Sequence, residues 1–209
     1  MTNKLSHYFP LFLIAILCVL SVISYAYAYD RQVWWTEMSS VFFLLALFGG
    51  TYKKFRFSNI AYFILFIWMV MQVVGAQYTF ERVPFDFITN LFGFERNHYD
   101  RMAHFTVGCS AFLISEFVYR KRFVSGKSMA VIFGILFIMA LANFWELVEW
   151  IYAEVDGGSA GQAFLGSQGD IWDAQKDMLM DTLGAMLGCL LFYFFTPKQK
   201  AQQNHVKKT

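Results

Sequence analysis

The chain has 209 residues, of which 57% are hydrophobic, 20% aromatic and only 15% charged, and its mean hydropathy is +0.43. Soluble domains carry about 25% charge and disordered chains are poor in apolar residues, so both classes are excluded. A net charge of +2 is too small to point to a nucleic-acid partner.

At about 20 apolar residues per crossing, the composition predicts a single all-α integral membrane domain over residues 1–209, a polytopic bundle of about six helices. Six apolar runs can be read, at 9–29, 33–50, 60–78, 100–119, 129–152 and 172–195. The first begins after Lys4 and ends near Ala26-Tyr27-Ala28, which has the form of a signal-peptide cleavage site. Its length and its continuation through Tyr29 favour a retained helix. The second run is the weakest, since it is short and holds Thr36, Glu37, Ser39 and Ser40. Cys18, Cys109 and Cys189 each lie inside an apolar run without CxxC spacing, so they are expected to be small packing residues.

Charge sets an expected orientation. Twelve Lys and Arg residues fall at the N-terminus, in the even-numbered connections and in the tail, against Arg31, Arg82, Arg96, Arg101 and Lys176 on the other side. By the positive-inside rule both termini are expected in the cytoplasm of a bacterial inner membrane, and Trp34, Trp35, Trp150 and Trp172 then fall near the outer interface.

The fifteen acidic residues are distributed unevenly: on this topology only Glu116 lies toward the cytoplasmic half. Asp100 and His104 are four apart on the fourth run; Asn143, Glu146 and Glu149 recur every three residues on the fifth. Asp170, Asp173, Asp177 and Asp181 step by three, four and four on the sixth, within an arc of about 80° at 100° per residue. A charge at mid-bilayer costs about 2.5–3.5 kcal/mol, so these groups are expected to face the bundle interior or a cavity. So many carboxylates must be protonated, paired or neutralised by a cation.

A His with several Asp and Glu suits a divalent ion such as Zn²⁺, Mn²⁺, Fe²⁺ or Mg²⁺. The candidate ligands are Asp100, His104, Asp173, Asp177 and Asp181, with Glu146 or Glu149 as general base and Arg101 holding an anionic group. Structural roles compete: Asp100 and Asp170 sit where helix N-caps are expected, Asp173 suits a helix dipole, and Glu37 near an interface reads as solvated. The connection 153–169, rich in glycine around Phe164 and Leu165, reads either as a lid or as a plain solvated loop. Gly184-x-x-x-Gly188 predicts close helix packing.

These residues resemble the YjdF-like family of bacterial inner-membrane proteins of unknown function. The resemblance rests on Asn97-His98-Tyr99-Asp100-Arg101 through His104-Phe105, on Phe144-Trp145-Glu146-Leu147-Val148-Glu149-Trp150, and on Gly166-Ser167-Gln168-Gly169-Asp170-Ile171-Trp172-Asp173 with Asp177 and Asp181. It implies location and fold, not an activity. A more distant similarity is to VanZ-like membrane proteins, through Asp100-Arg101-x-x-His104-Phe105 and Asp177-x-x-x-Asp181-x-x-Gly184. Here Arg101 stands for that family's Lys and Asp181 for its Asn, and Glu149 stands where its Glu-Leu-x-Gln has Gln.

Three functions fit the sequence. One is a metal-dependent hydrolase or transferase acting on a lipid, lipid-linked or cell-envelope substrate. The others are a cation- or proton-coupled transporter, whose carboxylates would be relays, and a structural or assembly protein. Oligomeric state is left open.

Overall fold

The computed structural model describes residues 4–156, 158, 161 and 164–199. Its principal helices are α1 (Lys4–Ala26), α2 (Arg31–Thr51), α3 (Asn59–Tyr78), α4 (Asp86–Phe92), α5 (Tyr99–Gly108), α6 (Ala111–Arg120), α7 (Lys127–Asp156) and α8 (Asp173–Phe195). No strand occurs among the described residues. Six helical stretches are long and apolar enough to cross a membrane, with α5 and α6 together making one of them.

Local chemistry sets several boundaries. The Asp30 carboxylate accepts the Gln32 and Val33 N–H groups and starts α2; the Ser58 hydroxyl accepts the Ala61 N–H and starts α3. These caps satisfy donors that the first helical turn leaves open. Thr79, in the left-handed region at φ 55°, ends α3. Lys127 Nζ donates to the Tyr193 and Thr196 carbonyls at the end of α8, where the helix dipole favours a cation.

The interior is built around two seams. The α1 and α2 helices pack on α3, while α8 packs against α5, α6 and α7. Met38, Val41, Ala61, Phe112 and Phe192 join them in one buried cluster. A polar thread crosses the first seam: Trp34 Nε1 donates to Ser24 Oγ, which donates to the Val73 carbonyl. Outward-facing positions are apolar too, among them Val22, Phe43, Phe144 and Phe194, as a bundle surrounded by lipid requires.

The tightest contact is between α5 and α8. A Cβ on Gly184 would collide with the Phe105 carbonyl, one on Gly188 with the Cys109 carbonyl, and one on Gly108 with the Asp181 carbonyl. The Gly184/Gly188 pair packs as its spacing predicted, and Gly108 completes the contact from the facing helix. The fourth apolar run, however, is not one uninterrupted helix. At Cys109–Ser110 the bonding tightens, with Ser110 N–H to Val107 O at 2.8 Å and Leu113 N–H to Ser110 O at 2.9 Å. The apolar pattern continues through the break, so periodicity cannot reveal it.

Two further departures have simple causes. The α4 helix lies in the polar connection between the third and fourth runs, with Phe87, Leu91 and Phe92 exposed. Cys189 is buried and Cys109 half-buried, but Cys18 is exposed on α1, since a lipid-facing helix surface needs apolarity, not packing partners.

The acidic residue at the opposite end from the others is a structural anchor. Glu116, 2% exposed, accepts the Ser58 N–H at 2.9 Å, the Ser58 hydroxyl at 2.8 Å and Arg120 Nη1 at 2.5 Å. It ties α6 to the first turn of α3.

Candidate functional site

Five helices bring polar side chains to one level. At 1.5 Å per residue, Glu37 lies about 9 Å from the start of α2, His104 about 8 Å into α5 and Asp181 about 12 Å into α8. Gln72 lies about 9 Å before the end of α3, and Glu149 about 10 Å before the end of α7.

The outermost layer pairs arginines with aspartates. Asp173 Oδ1 accepts from Arg96 Nη1 and from Arg101 Nη2, both at 2.5 Å. Arg101 Nη2 also donates to Asp170 Oδ2 at 3.1 Å, and its Nη1 donates to the Asp173 carbonyl and lies 2.7 Å from Asp177 Oδ1. The Arg101 guanidinium, read from sequence as an anion holder, is thus committed to three carboxylates. Arg96 additionally binds the Ser167 and Gly166 carbonyls. Asp170 starts no helix itself; its Oδ1 accepts the Trp172 N–H in the turn before α8, and its Oδ2 accepts Lys176 Nζ at 2.6 Å. These two bonds hold its carboxyl below the usual carboxylate range, at about 2. Nearby, His98 is shifted down by burial and by the Arg96, Arg101 and Lys176 charges.

Beneath this layer lies a histidine–carboxylate cluster. His104 Nδ1 sits 2.9 Å from Asp181 Oδ2, and its Nε2 lies 3.7 Å from Asp100 Oδ1. Asp100, His104 and Asp177 each offer one ligand atom, and these atoms all lie within 4.8 Å of one another. Asp181 therefore occupies one face of the imidazole and orients the ring, leaving the other nitrogen toward Asp100. Asp173 belongs to the arginine layer instead. Asp177 is 3% exposed, and its Oδ1 has the Arg101 ion pair but no aligned hydrogen bond.

The α7 carboxylates divide. Glu149 Oε1 accepts the Trp145 Nε1–H at 2.6 Å; Glu146 Oε1 is buried with no hydrogen bond among the described residues. Asn143 is exposed, because steps of three turn by 300° and rotate the series off one face.

A cavity of about 370 Å³ adjoins the cluster. Its polar lining comprises Glu37, Gln72, Asp100, His104, Glu149 and Asp181, with Ser39 and Ser40; Phe43, Leu44, Trp68, Phe80, Leu141, Phe144 and Trp145 are among its apolar walls. Phe164 is 4% exposed and packs against Trp145 and Tyr152, so the connection before α8 inserts a ring into this space. Gly157 of that connection lies outside the described residues. Glu37, expected to be solvated, is 5% exposed: its Oε2 accepts Gln72 Nε2 at 2.9 Å and the same amide reaches the Glu37 carbonyl at 3.2 Å. Sequence reasoning missed this pair, and it missed Arg96; an acid inside a span was the one signal for Glu37.

A family model described as "Predicted membrane protein (DUF2238)" matches residues 9–198. The chain belongs to the DUF2238 family of predicted membrane proteins. It is a multi-pass helical membrane protein embedded in a lipid bilayer. Among curated proteins it is similar to "Inner membrane protein YjdF" of Escherichia coli (strain K12), with 31% identity over 174 residues, covering 82% of this chain and 83% of that protein. The YjdF-like resemblance read from the three motifs is thereby borne out. No solved structure matches the chain.

Proposed function

We propose that this DUF2238 protein is a bacterial inner-membrane hydrolase or transferase that uses a divalent metal ion and acts on the head group of a lipid substrate. The similarity to an inner-membrane protein supports the location. The excess of Lys and Arg at the opposite end supports an outward-facing site with both termini in the cytoplasm.

One observation carries the reading: Asp100, His104 and Asp177 converge to within 4.8 Å beside an apolar cavity, with the far nitrogen of His104 held by Asp181. A carboxylate on the second imidazole nitrogen fixes the tautomer and raises ligand basicity, as in carboxylate–histidine–metal arrangements. Two carboxylates and an imidazole suit Zn²⁺, Mn²⁺, Fe²⁺ or Mg²⁺. When bound, such an ion lowers the pKa of water and polarises a phosphoryl or carbonyl oxygen. Glu149 lines the cavity with Trp145 holding one of its oxygens, so it is oriented to take a proton from a nucleophile there. Arg101 positions Asp173 and Asp177.

The transport reading lacks a comparable observation. Phe112 and Phe192 are fully buried toward the basic end, and among the described residues no acid other than Glu116 lies there to relay a cation.

The test is metal content of the purified chain by inductively coupled plasma mass spectrometry. Stoichiometric metal is expected in the parent, none in Asp177→Asn, and an affinity lower by about 10–100-fold in Asp181→Asn. Absence of metal from the folded parent under supplementation with each of the four ions would refute it.

A further inference from the structure

The four carboxylates that line the cavity, Glu37, Asp100, Glu149 and Asp181, face no Lys or Arg in its lining among the described residues. The arginines closest in the fold are committed elsewhere, Arg96 and Arg101 both to Asp173. His104 lies against Asp100 and Asp181. Glu37, on α2, and Glu149, on α7, also line this space.

Glu37 is the informative member. It is 95% buried, yet only one of its oxygens is engaged: Gln72 donates to Oε2, and Oε1 has no hydrogen bond among the described residues. Glu37 lines the cavity, so a donor brought by a ligand there can reach that second oxygen. Phe43, Trp68, Phe144 and Trp145 line the same cavity. Aromatic faces and carboxylates together select a cation.

Two walls of the cavity also reach the outer surface of the bundle. Phe43 on α2 and Phe144 on α7 line it and are still 66% and 61% exposed on the surface of the bundle. At that side α2 and α7 are linked near their ends by the Gln32 Nε2 to Tyr152 hydroxyl bond. A molecule already in the bilayer can therefore reach the carboxylates without leaving the hydrocarbon.

We propose that the cavity binds a membrane phospholipid whose head group bears a primary ammonium, with the ammonium against Glu37 and an acyl chain leaving between α2 and α7. Three N–H donors match the free oxygen of Glu37, whereas a trimethylammonium has the charge but no donor. The phosphate would face the Asp100–His104–Asp177 group; that half of the assignment rests on the metal reading above, and the ammonium half does not.

The experiment is native mass spectrometry of the full chain in mild detergent, titrated with phosphatidylethanolamine, N-acetyl phosphatidylethanolamine, phosphatidylcholine and phosphatidylglycerol of identical acyl chains. Metal content is measured on the same samples. Phosphatidylethanolamine is expected to bind at least tenfold more tightly than the other three, and Glu37→Gln to cut that preference to below threefold. The comparison with the N-acetyl lipid uses the parent protein alone, so it stands if the variant does not fold. Equal binding of the ethanolamine and N-acetyl lipids would overturn the assignment. So would displacement by free ethanolamine at the same concentration, which would mark a soluble amine as the ligand. An ammonium preference without bound metal would retain the ammonium site and refute the metal reading. Bound metal without the preference would do the reverse.

Discussion

Replacing Gly184 with alanine tests whether the α5–α8 contact sets the geometry of the site. The new Cβ would overlap the Phe105 carbonyl and lie 3.0 Å from Gly108 Cα, both of them backbone atoms that cannot rotate away. To restore ordinary contact at 3.4–4 Å, the two helices must part by about 1 Å or more. Overpacking of this kind costs about 1–3 kcal/mol. The separation also falls directly on the site, since His104 and Asp181 sit on these two helices one turn or less from the contact, joined at 2.9 Å. Metal sites tolerate distance errors of about 0.2 Å, so Gly184→Ala should lower both the unfolding midpoint and retained metal. The control is Gly49→Ala, where nothing lies within 4 Å of the added atom; relief of helix-glycine entropy should make it neutral or stabilising by up to about 1 kcal/mol. The assay is thermal unfolding of both purified variants in one detergent, with metal content alongside. Equal midpoints for the two would show that the close approach of α5 and α8 does not constrain the protein, and the reasoning would fail.

Other outcomes follow from individual contacts. Glu116→Ala strands the Ser58 N–H while Arg120 can still reach water, so it should cost about 1–3 kcal/mol in unfolding free energy, and Glu116→Gln less. Arg101→Lys replaces a fork that serves Asp170, Asp173 and Asp177 with a single point charge; it should lower the thermal midpoint more than Arg82→Lys, where a more exposed guanidinium meets one carboxylate, Glu81, and the Tyr29 ring. Asp170 has a depressed pKa, so its stabilisation is fully present above the ordinary carboxylate value and is lost as pH falls toward about 2. The midpoint gap between the parent and Asp170→Asn should therefore be largest near pH 6 and narrow by pH 3. A gap that is constant with pH would remove the ion-pair explanation.

How much was legible in the sequence depended on whether the signal was local. Apolar run length identified the helices that can cross a membrane, because hydrocarbon thickness sets one scale for all of them. The break at Cys109–Ser110 was hidden because tightening a helix by one bond changes no residue's polarity. The acidic arc on α8 was visible, but its division was not. Which aspartates meet arginine and which meet histidine depends on Arg96 and on the height at which α5 lies against α8, and both are tertiary facts. Glu37 was misread for a similar reason. Its partner Gln72 is 35 residues away on another helix, and without that partner an acid near a helix end looks solvated.

The pairing of α5 with α8 also imposes an order on biosynthesis. Arg101 precedes Asp173, the carboxylate it meets at the shortest distance, by 72 residues, with α6 and α7 made in between. At about 5–20 residues per second of translation, the ribosome needs about 4–14 s to supply that partner. Through that interval the first half of the protein must hold a guanidinium and an imidazole at the membrane without the aspartates that later enclose them. A chain released before α8 would thus keep Arg101 and His104 without Asp173 and Asp181, the partners that α8 brings.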